Sequence, residues 1–263
     1  MRRLYRVVRA LFLLALASPL GLAWLPPDRL PHGLDHDFQA LLQSSFRQLS
    51  ITLGATLALA MTLTIALGYA SVLWQRFGRS GSSMLKAVES VPAILVALFF
   101  YAPVSGYLAR HSSDVSQLVS LIVFILAATL TMLPESVRGV AIPLGDLYHR
   151  KYSLSFRSYG FTKRRILAVL TASQAMRITL KRIAAGILLK TLVLDCSFGF
   201  IIQLGFGSYG TPAHASPGAL IAANRDALFE GGIPLLFWLP SLLLVAISTS
   251  FLLTLADRAE AAS

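Results

Sequence analysis

The sequence predicts an all-α, polytopic membrane protein with six transmembrane helices, and three observations carry that prediction. Only 13% of the 263 residues are charged, 56% are hydrophobic, and the mean hydropathy is +0.68. Soluble domains carry about 25% charged residues, so this chain has more apolar surface than one water-facing core absorbs. The apolar residues also fall in runs long enough to cross a bilayer, which takes about 20 helical residues. Finally, the basic residues collect in particular gaps between those runs.

The first span is placed at 10–27, behind Arg2, Arg3, Arg6 and Arg9. Arginines followed by the apolar stretch 11–17 also have the form of a secretory signal. Pro19 and Trp24 are poor neighbours for cleavage after Ala17 or Ala23, so an uncleaved helix is expected. The next spans are placed at 49–74, 90–109 and 115–134. Pro92 and Pro103 are expected to break the third one locally, which membrane helices tolerate when neighbours satisfy the freed carbonyls.

The fifth span, 183–204, is interrupted by Lys190 and Asp195 and contains the single cysteine, Cys196. One thiol makes no internal disulfide and no Cys-x-x-Cys pair, so a buried structural role is expected. Segment 205–232, rich in glycine and proline, reads as looped, and the sixth span is 233–255. The whole chain forms one membrane domain.

An even number of spans puts both termini on one side. With the N-terminus in the cytoplasm, eighteen Lys and Arg residues fall on cytoplasmic segments, against Arg29, Arg47, Arg110 and Arg225 outside. That imbalance is the positive-inside pattern and predicts both termini inside. The net charge of +11 therefore follows from membrane topology. No helix-turn-helix, zinc or RNA-binding motif accompanies it, so nucleic acid is not an expected partner, whereas membrane lipid is.

The chemistry-bearing residues are sparse. The five histidines (His32, His36, His111, His149, His214) lack metal-ligand spacing. No phosphate-binding GxxxxGK[ST] loop occurs, and no nucleophile–base pair is apparent. The chain is expected to be non-catalytic, with no cofactor or metal of its own. Ionisable groups at membrane depth are costly and mark paths or pairings, which singles out Lys190 and Asp195. Five residues apart on a helix, they point about 140° from each other. One is expected to face a translocation path and the other a neighbouring helix, the competing expectation being inter-helix pairing or snorkelling of Lys190. Glu89 is expected at the membrane interface.

Segment 135–182 is the longest gap between spans, too long for a plain connector. It contains Tyr152-Ser153-Leu154-Ser155-Phe156-Arg157-Ser158-Tyr159-Gly160. A short helix is expected to run to Tyr159 and stop at Gly160, since glycine adopts positive φ freely at a helix C-terminus. Lys163, Arg164 and Arg165 then open a second helix expected to continue through Met176, with Arg177, Lys181 and Arg182 following. Such a basic segment either lies along lipid headgroups or docks a partner.

With these residues in place, the chain resembles the permeases of binding-protein-dependent ABC importers, in the dipeptide/oligopeptide/nickel branch. Those permeases carry a cytoplasmic Y-x-E-A-A-R-x-x-G-A loop, and Tyr152, Arg157 and Gly160 fall at matching places. Leu154 stands in place of the glutamate, Ser155 and Phe156 in place of the alanines, and Phe161 in place of the last alanine. Leu204-Gly205-Phe206-Gly207 is similar to the L-G-L-G closing the branch's fifth span, though the P-P-x-P-x-W-G that often follows is absent. Gly33-Leu34-Asp35-His36-Asp37 and Arg47, ten residues after Asp37, resemble a pattern preceding its second span, and Val137-Arg138-Gly139 a V-R-G ahead of the coupling segment.

The resemblance covers residue 35 to the C-terminus. It implies a permease subunit of the bacterial inner membrane that moves peptides or a related small solute or metal chelate. ATP and magnesium would be held by two separate ATPase subunits. A second related permease would complete a heterodimer, and a periplasmic solute-binding protein would deliver the solute. Tyr152, Leu154, Phe156, Arg157, Tyr159 and Gly160 would couple to the ATPase, with Phe156 and Tyr159 as apolar anchors and Arg157 as a polar contact. The competing expectations are an ion-coupled secondary transporter or channel, a membrane scaffold, and an importer permease of another substrate branch.

Overall fold

The computed structural model describes residues 2–25, 36–74, 91–108, 114–206, 216–229 and 233–256. Among them the chain is all-helical, with no strand. The helices are α1 (Arg2–Leu22), α2 (His36–Leu73), α3 (Ala93–Leu108), α4 (Asp114–His149), α5 (Lys151–Ser158), α6 (Lys163–Thr171), α7 (Gln174–Phe206), α8 (Pro217–Ala223) and α9 (Leu235–Ala256). A 3-10 turn, Arg225–Leu228, follows α8.

Four of these are long and apolar enough to cross a membrane: His36–Leu73, Leu118–His149, Gln174–Ile201 and Leu235–Leu253. The chain is a membrane protein on that ground. The other two expected spans are shorter as apolar helices, Leu11–Leu22 in α1 and the 16 residues of α3. Pro92 lies just before α3, where its carbonyl accepts from the Leu95 and Val96 amides, while Pro103 is carried inside the helix.

Three helices overrun the expected spans because backbone hydrogen bonding continues wherever propensity allows, whereas counting uncharged residues finds only the lipid-compatible part. α2 begins at His36 instead of 49 and α7 at Gln174 instead of 183. α4 passes through Pro134 and Pro143 and ends at His149, so residues 135–149, expected as the start of the cytoplasmic loop, continue the fourth helix. The second helix of that segment stops at Thr171 rather than continuing through Met176. Ser173 restarts the chain as α7, its hydroxyl accepting from the Met176 amide and its carbonyl from the Arg177 amide. Serine competes for the backbone in this way at helix starts.

α2 and α4 form the central pair, with α3 and α7 packed on α4, and α9 closing against α1 and α7. The buried side of α2 reads Ser45, Leu49, Thr52, Leu53, Thr56, Ala60, Thr64 and Gly68. Small residues at four-residue spacing let membrane helices approach closely, where van der Waals contact replaces the missing hydrophobic drive. At mid-bundle, Ala60, Ala97, Tyr101, Phe124, Met132, Ile187 and Phe198 interlock α2, α3, α4 and α7. Tyr101 stands edge-on to Phe198, with ring centroids 4.6 Å apart. Near the start of α2, Arg47 lies 4.5 Å from the centre of the Trp24 ring, and the Trp24 indole donates to Ser50. Arg47 thus clips the end of α1 to α2. Asp37, ten residues earlier on the same helix, is about 15 Å away along the axis.

The segment after α7, expected as a loop, contains the helix α8. Ser216 caps it by accepting from the Ala219 amide, and Pro217 occupies its first turn. α8 lies buried against α7, α9 and α2. Its Gly218 meets the backbone of Cys196, which is partly buried and is a free thiol.

Candidate functional site

Helices α5 and α6 fold back as a hairpin over the C-terminal half of α4. The turn between them is built by Gly160, at φ +78°, the one residue at positive φ among those described. The Gly160 amide donates to Arg157 O at 2.9 Å and the Phe161 amide to Phe156 O at 3.1 Å. Those two bonds, with the Phe156 and Phe161 rings edge to face at 5.7 Å, make a complete Schellman closure. A Cβ on Gly160 would meet nothing within 4 Å, so the requirement for glycine is conformational. We expect Gly160→Ala to weaken the turn by about 1 kcal/mol and Gly160→Val by more, with Gly160→Asn closer to wild type. Faster protease cleavage around 158–162 is the readout, and equal protection of Gly160→Val would refute it.

The two faces of α5 differ sharply. Inward, Ser153 is fully buried and Phe156 packs against the apolar cluster that joins Ile166, Leu167 and Leu170 of α6 to Val140, Leu144 and Leu147 of α4. Arg157 donates from Nη2 to Tyr148 O at 2.8 Å, and its guanidinium lies 4.1 Å from the centre of the Tyr148 ring. Outward are Lys151, Leu154, Ser155, Ser158 and Tyr159, with Leu154 51% and Tyr159 80% exposed. Lys151, Leu154, Ser155 and Ser158 lie within about 100° of one another on the helix, and Tyr159, the C-cap residue, widens this exposed side so that it stands about 140° around from Leu154. Tyr152 lies in the first turn.

The structure therefore redistributes the residues the sequence grouped as a coupling set. Tyr159 projects outward. Phe156 and Arg157, expected as docking contacts, are held by the chain itself, because a ring at that position completes the turn and Tyr148 offers both a carbonyl and a π face. Leu154, singled out in the sequence for the glutamate it replaces, is the second outward apolar side chain.

This hairpin is tied to two of the long helices. The Lys163 ammonium donates to Leu73 O, in the last turn of α2, at 3.0 Å and lies 5.4 Å from the Tyr148 ring centre. The Tyr69 hydroxyl of α2 donates to Arg164 O at 2.7 Å. Arg165 sits 4.8 Å over the Phe161 ring. Three cations of the expected basic face, Arg157, Lys163 and Arg165, therefore make contacts within the chain. Arg150, Lys151, Arg164, Arg177, Lys181 and Arg182 are exposed around the hairpin.

The candidate path residues are not brought together. Asp195 is buried to 1% exposure, while Lys190 points outward and pairs with Glu135 of α4. Glu135 was not singled out in the sequence because it directly follows Pro134, where the apolar run ends. Its signal is that α4 does not end there. Glu89, Arg76, Arg79, Lys86, the 33–35 segment and residues 207–215, including Gly207 and His214, lie outside the described residues. Among the described residues no three His, Cys, Asp or Glu side chains form a group able to hold a metal. No family model matches this chain, and no curated protein matches it either.

Proposed function

We propose that this chain is a permease subunit of an ATP-driven importer, and that α5 is the element through which a separate ATPase acts on it. The supporting observation is the division of α5 into an inner face anchored to the bundle and an outer face presenting Leu154 and Tyr159. A large aromatic and an aliphatic side chain on a preformed helix suit the pocket-filling anchors of a protein interface. The exposed basic side chains around them suit an acidic rim on the partner.

The proposed mechanism follows from the ties. A force on α5 reaches α4 through Arg157 and Tyr148, and reaches α2 through α6, by way of Lys163–Leu73 and Tyr69–Arg164. ATP and magnesium would bind the ATPase subunits, whose closure would shift α2 and α4 together and alternate access to a central path. In this reading the chain has six spans with both termini in the cytoplasm of a bacterial cell. It pairs with a second permease and receives peptides or a related small solute from a periplasmic binding protein.

Co-purification from native membranes tests the proposal. We expect a stoichiometric ATPase, and recovery of the chain without any nucleotide-hydrolysing partner would overturn it. An ion-coupled transporter is the second reading, favoured by the Glu135–Lys190 pair, and it predicts uptake without such a partner.

A further inference from the structure

Glu135 and Lys190 form an ion pair between two membrane-crossing helices, yet neither is enclosed. Their side chains retain 57% and 51% of their exposure. Along α7, Lys190 is about 12 Å past Arg182, the last of the basic group at 177–182, and about 24 Å short of Phe206. Along α4, Glu135 is about 26 Å from Leu118 and about 21 Å from His149. The pair thus lies near the middle of both helices, with Lys190 inside the span expected at 183–204 and Glu135 directly after the span expected at 115–134.

The outer surface of the N-terminal half of α4 differs from the surface around this pair. α4 exposes Ile122, Leu126 and Leu130 at four-residue spacing, an apolar stripe suited to lipid. Glu135 lies on a different side of α4, about 140° around from Leu130. Lys190 shares its side of α7 with Val193, one turn along and 56% exposed. A half-exposed charge within a span is disfavoured against acyl chains, and pairing Lys190 with Glu135 at the edge of the next span offsets desolvation only when the remaining donors and acceptors are satisfied. Here they are left open toward the outside of the chain.

We propose that the α4–α7 face carrying Glu135 and Lys190 is the wall of a water-filled path, and that the pair is a binding site for the ionised group of a hydrophilic solute. The assignment rests on the transport reading but is independent of the ATPase. A carboxylate and an ammonium, each about half free, can exchange their mutual contact for one with a charged solute group. The apolar stripe of α4 is then the lipid side.

The test uses charged, membrane-impermeant methanethiosulfonate reagents on the membrane-embedded chain, with Cys196→Ala as background. Val193→Cys is expected to react at least about tenfold faster than Leu126→Cys or Leu130→Cys, because the thiolate forms only in water. Adding Lys190→Met should shift the Val193→Cys rates toward the cationic reagent, and adding Glu135→Gln toward the anionic one. The double change Glu135→Gln/Lys190→Met should remove the preference while keeping the reactivity. A Val193→Cys thiol as inert as those of the apolar stripe would overturn the path. A reactive thiol indifferent to both charge changes would overturn the ionic site. Either failure alongside an intact ATPase complex would leave the importer reading in place and sink only this assignment.

Discussion

Gly218→Ala is expected to lower the thermal midpoint of the detergent-solubilised protein by several degrees, by prising α8 off α7. An added Cβ would stand 2.6 Å from the carbonyl carbon and 2.8 Å from Cα of Cys196, well inside van der Waals contact. The obstacle is the backbone of a packed helix, which has no rotamer to yield. The approach is reciprocal, since a Cβ on Gly199 of α7 would strike the capping hydroxyl of Ser216 and come within 3.1 Å of the Ala219 amide. Overpacking costs about 1–3 kcal/mol, and rigid backbone on both sides favours the upper end. For a chain of this size that is about 6–12 °C. Gly54→Ala and Gly145→Ala are the controls, because nothing lies within 4 Å of their added Cβ. In helix interiors such changes stabilise by up to about 1 kcal/mol, so the controls should move the other way. A midpoint unchanged in Gly218→Ala would mean that α8 is not held against α7 as described.

The apolar runs located the helices well and their ends badly. Hydropathy reports where a helix can meet lipid, whereas the helix itself continues as long as its backbone bonds do. This is why α2, α4 and α7 extend past the charge-free stretches and why Pro134 did not end α4. The turn at Gly160 was legible because left-handed backbone demands a particular residue type. The helix α8 was hidden by its glycine and proline content, although Ser216 before Pro217 is a recognisable start signal. The inward roles of Phe156 and Arg157 depend on Phe161, Tyr148 and α6, which are partners that a local motif does not specify. Glu135 acquires meaning only beside Lys190, 55 positions later. Pairings at that separation are properties of the packing.

The same division between local and tertiary information sets the test of the docking face. The double variant Leu154→Ala/Tyr159→Ala is expected to weaken association with the ATPase at least about 30-fold, while its thermal midpoint stays near wild type. Interface anchors cost about 2 kcal/mol or more each when truncated, and 2 kcal/mol is about 30-fold in Kd. Both side chains are more than half exposed in the chain alone, so removing them sacrifices little packing. Phe156→Ala should show the opposite profile. It removes the ring that closes the turn onto Phe161 and packs toward Ile166 and Leu167, so it should lower stability, with weaker binding only as a consequence. Arg157→Lys belongs with Phe156, because an ammonium keeps the charge but loses the planar stack on Tyr148. Binding of the double variant indistinguishable from wild type would remove α5 as the contact. Loss of binding in Phe156→Ala without loss of stability would instead return that side chain to the outer face.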